Sequence, residues 1–439
     1  MSRFERFMRL KGYDIPGAAK FLGDLSRYTR EDLDRRQEQA GWDIVRFHHR
    51  NNPLYRSKLP GQLPARWEDL PIMEKTDYQT ALDAILSDGM KAGGLYRAST
   101  SGSSGHPFSF AKDRFSHACS WALIRERYGW HGITLASRQA RFYGIPLDAR
   151  QYAAEKLKDL LMNRVRFPVF DLSDETLGRF ARRFRNGAFD YVYGYTNSLV
   201  IFARYLLQRG IELKSWCPAL KVCIVTSETC IPDDRKILEQ ALGVSVVNEY
   251  GASEVGVIAF ENSRGEMIVS EENLILEIVG DGGRPLEEGR SGSILITDLH
   301  NKAFPFIRYR IGDLGTLAPA APGGREVRRR LLSLEGRIND TIILPSGKRA
   351  PGLTFYYVSR RLLESSGIVR EFVVRQTGLA DFVFDFVADR PLEPHEEELI
   401  RAMMDRYLEP GLNLTLRRLP AIQRPPSGKI KHFYSELKG

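Results

Sequence analysis

Long apolar runs are missing: no window of the 439 residues approaches the about 18 uninterrupted apolar positions that a membrane-spanning helix needs. The opening Met1-Ser-Arg-Phe-Glu-Arg-Phe-Met-Arg-Leu10 is too charged for the apolar core of a secretory signal, so the expected location is cytoplasmic. Cysteine is scarce, with four in the chain. Cys217, Cys223 and Cys230 cluster without the paired spacing of a zinc site, which predicts reduced thiols, with metal ligation or a disulfide as minority readings. No self-similarity at a period of about 20 to 50 residues is visible, which excludes solenoids and propellers.

What is present excludes disorder. Hydrophobic residues make up 43% and aromatics 10%, enough apolar area to offset the chain entropy of folding, and a prior of roughly 150 residues per domain gives two or three domains. Lys and Arg exceed Asp and Glu by 64 to 55, a net charge of +9, which suits polyanionic small molecules. The one dense basic knot, Arg325-Glu-Val-Arg-Arg-Arg330, reads as a solvated loop. Without a recognition motif beside it, no nucleic-acid partner is expected.

Residues 1–90 read as helical. Thr29-Arg-Glu-Asp32 has the spacing of a capping box ahead of Leu33, Ala40, Ile44, Val45 and Phe47, and Asn51-Asn-Pro53 ends the pattern. From 91 to 265 short β-rich runs, Phe142 to Ile145, Tyr191 to Tyr193, Val222 to Val225 and Val244 to Val247, alternate with helical stretches such as Thr176 to Arg185 and Ser198 to Gln208. That alternation predicts βαβ units and a parallel sheet. From 266 to 335 the strands Met267 to Val269, Leu274 to Val279 and Ser293 to Thr297 come in close succession, with a turn at Gly280-Asp-Gly-Gly283, and predict an antiparallel β subdomain packed on the first. Ala318-Pro-Ala-Ala-Pro-Gly-Gly324 is a turn-rich break, so the expected organisation is an N-terminal domain over 1–335 and a small α+β C-terminal domain over 336–439.

The sharpest local feature is the run Ser99, Thr100, Ser101, Gly102, Ser103, Ser104, Gly105, with His106 and Pro107 after it. Its glycines permit close backbone approach, and its amides and hydroxyls can surround a phosphate. It is not a Walker A loop, since the Gly-Lys-Ser/Thr ending is absent, and a flexible connector is an equal reading of the loop alone.

Five further segments, in order, change that balance: Asp69-Leu-Pro-Ile-Met-Glu-Lys75, Asn248-Glu-Tyr-Gly-Ala-Ser-Glu254, Arg308-Tyr-Arg-Ile-Gly-Asp313, Gly336-Arg-Ile-Asn-Asp340 and Pro426-Ser-Gly-Lys429. From about residue 50 to 433 the chain resembles the adenylate-forming, acyl-CoA synthetase superfamily, and within it the phenylacetate-CoA ligase and CapK-like branch. The resemblance implies an α/β fold: a large adenylate-forming domain of parallel αβ sheets with an antiparallel β subdomain, and a small mobile C-terminal lid.

It also implies site roles. Ser99 to Gly105 would hold the β- and γ-phosphates of ATP. Tyr250, Gly251, Ala252, Ser253 and Glu254 match the family element in which the ring lies by adenine and the glutamate binds Mg²⁺, with Asn248 and Glu249 leading into it. Ser227 and Glu228 would lie on the same nucleotide wall, although Thr226 to Thr229 departs from the usual family form. Asp313 matches the aspartate that accepts from both ribose hydroxyls, Arg337 the arginine near the ribose, and Asn339 the hinge position, where the family usually has Asp or Lys. Lys429 matches the catalytic lysine that stabilises charge on the α-phosphate as a carboxylate attacks.

The acid pocket implied by resemblance includes Tyr143, Gly144, Tyr193 and Tyr195, and core packing is an equal reading of each aromatic. His117 and His131 are candidate bases for which a structural role is the stronger expectation. The implied reaction takes a carboxylic acid, possibly aromatic, and Mg-ATP to acyl-AMP and pyrophosphate. A thiol then attacks, coenzyme A first, with a carrier-protein thiol or an amine as the alternative acceptor. A homodimer is the association the resemblance suggests.

Overall fold

The first helices form where their end signals stand. α1 (Arg3–Leu10), α2 (Ile15–Leu22), α3 (Arg30–Asn51) and α4 (Pro53–Lys58) succeed one another. At the start of α3, Asp32 N–H donates to Thr29 Oγ1 at 3.2 Å and Thr29 N–H to Asp32 Oδ2 at 3.1 Å, a reciprocal cap. Asn51-Asn-Pro53 ends α3 and restarts the chain at once. Asn52 Oδ1 accepts from Tyr55 N–H at 3.0 Å, and Pro53 takes the first turn of α4, where no N–H is needed.

The computed structural model describes residues 1–23, 25, 28–99, 108–144, 149–169, 172–319, 326–337, 341–347, 349–351, 355, 369–423 and 433–437. Contacts divide the chain into two units, Met1–Ile311 with Gly315–Ser333, and Gly312–Leu314 with Leu334–Gly439. Among the described residues no helix is long and apolar enough to cross a membrane.

In the first unit a short helix α5 (Leu82–Ile85) precedes the hairpin β1 (Tyr96–Ser99) and β2 (Ser109–Lys112), with Ser99 paired to Ser109. The Ser/Gly loop is therefore the connection of an antiparallel pair. α6 (Arg114–Gly129) begins where Asp113 accepts from Ser116 N–H at 2.9 Å. Next come β3 (Gln139–Tyr143), α7 (Ala149–Leu161), β4 (Arg164–Pro168), α8 (Asp174–Arg185), β5 (Tyr191–Tyr195), α9 (Thr196–Leu207), α10 (Leu213–Trp216), β6 (Val222–Thr226), α11 (Pro232–Leu242) and β7 (Ser245–Ala252).

Strands β4, β3, β5, β6 and β7 lie side by side and parallel. Every residue of β5 and β6 is buried, the pattern of strands covered on both faces. One face packs Phe142, Phe167, Val192 and Cys223 against Phe180, Phe184, Leu199, Phe202 and Leu238 of α8, α9 and α11. The other packs Tyr191, Tyr193, Ile224 and Val247 against Leu123 and Tyr128 of α6.

The antiparallel strands differ from expectation in their attachment. β8 (Gly256–Glu261), β9 (Met267–Val269), β10 (Leu274–Val279), β11 (Ser291–Asp298), β12 (Tyr309–Leu317) and β13 (Arg330–Arg337) complete one sheet of 11 strands. Its order is β10-β11-β12-β13-β9-β8-β7-β6-β5-β3-β4. They are joined edge to edge, because β8 turns straight back onto β7, rather than packed as a separate layer.

The second unit contains the pair β14 (Thr341–Ile343) and β15 (Arg349–Pro351), then β16 (Val369–Gln376), β17 (Asp381–Ala388), α12 (Pro394–Tyr407), β18 (Asn413–Arg418) and β19 (Phe433–Ser435). Its four-stranded sheet runs β18-β17-β16-β19, and Phe372, Phe382, Phe384, Ile400, Met404 and Phe433 are buried there.

Candidate active site

The parallel register brings Tyr143, Tyr195, Thr226 and Glu249 toward one edge of the sheet, since Thr226 pairs with both Tyr195 and Glu249. Ligands collect at such carboxyl ends, and the predicted Tyr143, Gly144, Tyr195, Ser227, Glu228 and the 250–254 element all fall on this edge. Gly194 is required between the tyrosines. A Cβ there would sit 2.6 Å from Phe142 Cβ and 2.7 Å from Phe142 O. Ser227, exposed at the end of β6, is held at φ +71°, a costly conformation for a residue with a side chain. Glu228 accepts from Asn197 N–H at 2.8 Å, so its carboxylate occupies the start of α9, where Tyr195 supplies no side-chain cap.

At Tyr250-Gly251 the β7–β8 register shifts. A bulge of this kind bends a strand and re-aims the residues beyond it. Gly251 permits it, because a Cβ there would meet Gly256 O at 2.8 Å. Past the bulge Ala252 is half-buried, Ser253 exposed and Glu254 buried at 8% exposure. Tyr309 Oη donates to Glu254 Oε1 at 3.4 Å, which joins the 250–254 and 308–313 segments. Lys112, on β2 just after the Ser/Gly loop, is also buried, and its Nζ donates to Ser120 Oγ at 3.3 Å. Burial pulls this lysine's pKa down, opposed by the charges of Asp298 and Glu254.

The remaining first-unit segment, 69–75, lies alongside β12. Met73 N–H donates to Arg308 O at 3.3 Å, Arg310 N–H to Met73 O at 2.9 Å, and Arg310 Nε to Glu74 at 2.8 Å. Arg308, at φ +44° and 1% exposed, donates to Glu277 and to the carbonyls of Glu68, Leu70 and Gly283. It is a clamp that fixes the strand carrying Tyr309. Asp313 lies half-buried further along β12, in the stretch that groups with the second unit.

Other predicted residues are engaged locally. Asn248 donates through N–H and Nδ2 to Glu261 at 2.9 and 2.8 Å. Glu249 accepts from Tyr193 Oη at 2.6 Å and Tyr128 Oη at 3.3 Å, and burial pushes its carboxyl up against those hydrogen bonds. Ser99 ends β1, and Arg337 ends β13. Thr100, Ser101, Gly102, Ser103, Ser104, Gly105, Asn339 and Lys429 lie outside the described residues.

His117 stacks on Tyr96 at 4.0 Å and accepts from Trp121 Nε1 at 3.1 Å, and His131 Nε2 lies 2.8 Å from Glu261 O. Both rings are thus engaged by neighbouring groups of the fold. All four cysteines are free thiols, and among the described residues no cluster of metal ligands occurs. Sequence reading missed Lys112, Arg308 and Tyr309 as functional neighbours, although the last two stand inside the 308–313 motif. A cleft of about 510 Å³ between α3, Trp67 and β10 contains none of the predicted residues.

No family model matches the chain. It is 23% identical to Protein CapK of Staphylococcus aureus over 320 residues, 70% of this chain and 69% of that protein. It is 30% identical to the phenylacetate-coenzyme A ligase of Thermus thermophilus over 242 residues, 48% of this chain and 53% of the ligase. Among solved structures, 2-hydroxyisobutyryl-CoA ligase in the postadenylation state superimposes with a TM-score of 0.72 at 15% identity, covering 92% of this chain and 89% of that one. The fold is therefore that of the adenylate-forming enzymes. The chain's sequence relatives include a CapK protein and phenylacetate-coenzyme A ligases.

Proposed function

We propose that this chain is an ATP-dependent ligase. It activates a carboxylic acid as acyl-AMP with release of pyrophosphate, then passes the acyl group to a thiol, coenzyme A being the expected acceptor. The observation that carries the reading is the meeting of Glu254 with Tyr309 at the carboxyl edge of the parallel strands, in a chain whose motifs keep the family order. The ligase relatives support an aryl acid and coenzyme A as the substrate pair.

Glu254 fits a hard divalent cation. Its single hydrogen bond among the described residues is long, at 3.4 Å, and a carboxylate keeps acceptor capacity beyond that. Mg²⁺ held there would supply neutralising charge to the ATP phosphates. Of the chain's own groups, the loop from Ser99 to Gly105 holds the β- and γ-phosphates, Tyr250 packs by adenine, and Asp313 accepts from the ribose diol. Lys429, from the second unit, stabilises the charge that develops at the α-phosphate. The working location is the cytoplasm, and assembly as a homodimer is checked by light scattering.

The test is ATP–pyrophosphate exchange against aryl, arylacetic, fatty and amino acids, and then acyl transfer with coenzyme A or amines supplied separately. One acid class should support exchange, and Glu254→Gln should lower it by about 100-fold or more, with a weakened response to Mg²⁺. Exchange that is indifferent to Glu254 would remove the glutamate from the site.

A further inference from the structure

The α6-facing side of the parallel sheet carries arginines of which only one has a carboxylate partner among the described residues. Arg141, Arg164 and Arg166 share this face, because Gln139 pairs with Arg164 and Arg141 with Arg166 in the β3–β4 register. Arg166 is neutralised by Glu155 at 2.8 Å and Asp159 at 2.9 Å. The other two are not: among the described residues neither Arg141 nor Arg164 has a carboxylate within 4 Å. Arg164 has a buried Nε with no hydrogen-bond partner. Burial, and then repulsion from Arg141, lowers its pKa to about 10.

Arg141 is half-buried as a residue. It lies against two rings of the predicted acid pocket, 4.0 Å from the centroid of Tyr143 and 4.8 Å from that of Tyr193. Of its five N–H donors, Nη1 alone finds an acceptor among the described residues, Gln139 Oε1 at a long 3.4 Å. The carboxyl of Glu249, on the same face, is occupied by the hydroxyls of Tyr193 and Tyr128. A guanidinium fixed on aromatic faces, with most donors unfilled, is the arrangement that recognises a carboxylate or similar anion from outside.

We infer that Arg141 is a substrate-contacting specificity residue, and that the acid this enzyme takes is a flat dianion whose second anionic group binds Arg141. The inference rests on the reading of this face as the acid pocket. Arg141 stands two residues before Tyr143 on β3, about 6.6 Å deeper than the strand end at roughly 3.3 Å per residue. A ring with its two acidic groups in para positions spans that depth, with the reacting carboxylate left at the carboxyl edge of the strands. Tyr143 and Tyr195, 4.1 Å apart, supply the aromatic wall.

The probes are phenylacetate, 4-carboxyphenylacetate and its neutral isostere 4-carbamoylphenylacetate, used with the full chain. In ATP–pyrophosphate exchange the native enzyme should prefer the dicarboxylate over the carbamoyl compound by about 10- to 100-fold in kcat/KM, the worth of a charged hydrogen-bond pair. Arg141→Gln should abolish that preference, and Arg141→Lys should restore part of it. An equal loss for both compounds in Arg141→Gln, or a native preference for the neutral acids, would overturn the inference while leaving the ligase reading intact. Calorimetric titration of the dicarboxylate without ATP separates the two. Binding that disappears in Arg141→Gln, with no exchange for any acid, keeps the anion site and refutes the ligase; no binding and no exchange refutes both.

Discussion

Buried side chains in this protein divide into those the fold consumes and those it leaves available, and the division is decided by partners rather than by residue type. Arg308 is fully engaged, with Glu277 and three carbonyls as acceptors, whereas Arg141 is not. Neither role could be read from an arginine in the sequence. His48 illustrates the consumed class. It is 0% exposed, its Nε2 lies 2.9 Å from Asn301 O and its Nδ1 3.3 Å from Ser87 Oγ, and burial lowers its pKa to about 4. The folded state therefore favours the neutral ring, and the unfolded chain takes up the proton first, near pH 6.5. Stability from this group is present above pH 6.5 and is lost as pH falls toward 4, at about 1.4 kcal/mol per pH unit. Urea midpoints taken from pH 7.5 to 4.5 should fall for the native chain and fall less steeply for His48→Gln, which retains an Nε donor. Parallel curves would show that His48 is not a proton-linked group.

Elements were legible wherever a local signal sufficed. The Thr29–Asp32 box and the β9 and β10 strands stand where capping and periodicity put them. The edge-on union of the parallel and antiparallel strands was not legible, because it depends on the β7–β8 pairing through the 252–256 turn. That turn also sets the position of Glu254. A methyl at residue 251 would press on Gly256 O from 2.8 Å, and backbone cannot swing aside as a flexible side chain does. Gly251→Ala should cost about 1–3 kcal/mol, read as a lower urea midpoint. It should also reduce pyrophosphate exchange by more than a stability loss of that size explains, because the bulge is what aims the glutamate. Full exchange activity in a folded Gly251→Ala variant would separate the bulge from the site.

At the scale of the whole molecule, the order of motifs along the chain carried the family resemblance, while their adjacency in space had to come from the fold. Residues 69–75 and 308–310 are hydrogen-bonded neighbours separated by more than half the chain, and no local rule links them. The second unit poses the matching question for function, since it has its own four-stranded sheet and buried core and carries Lys429. Acid activation needs a cation at the α-phosphate only while negative charge builds there, whereas thiolysis of the finished adenylate expels AMP and needs space for the thiol. A group used in one step and withdrawn in the other is the economical way for one site to serve two chemistries. Lys429→Ala should therefore lower pyrophosphate exchange by about 100-fold or more, yet leave the conversion of supplied acyl-AMP and coenzyme A to acyl-CoA within a few-fold of native. Stopped-flow assays of the two half-reactions measure the split directly. Equal loss in both would mean that the lysine supports the site throughout, and that the second unit does not exchange one chemistry for the other.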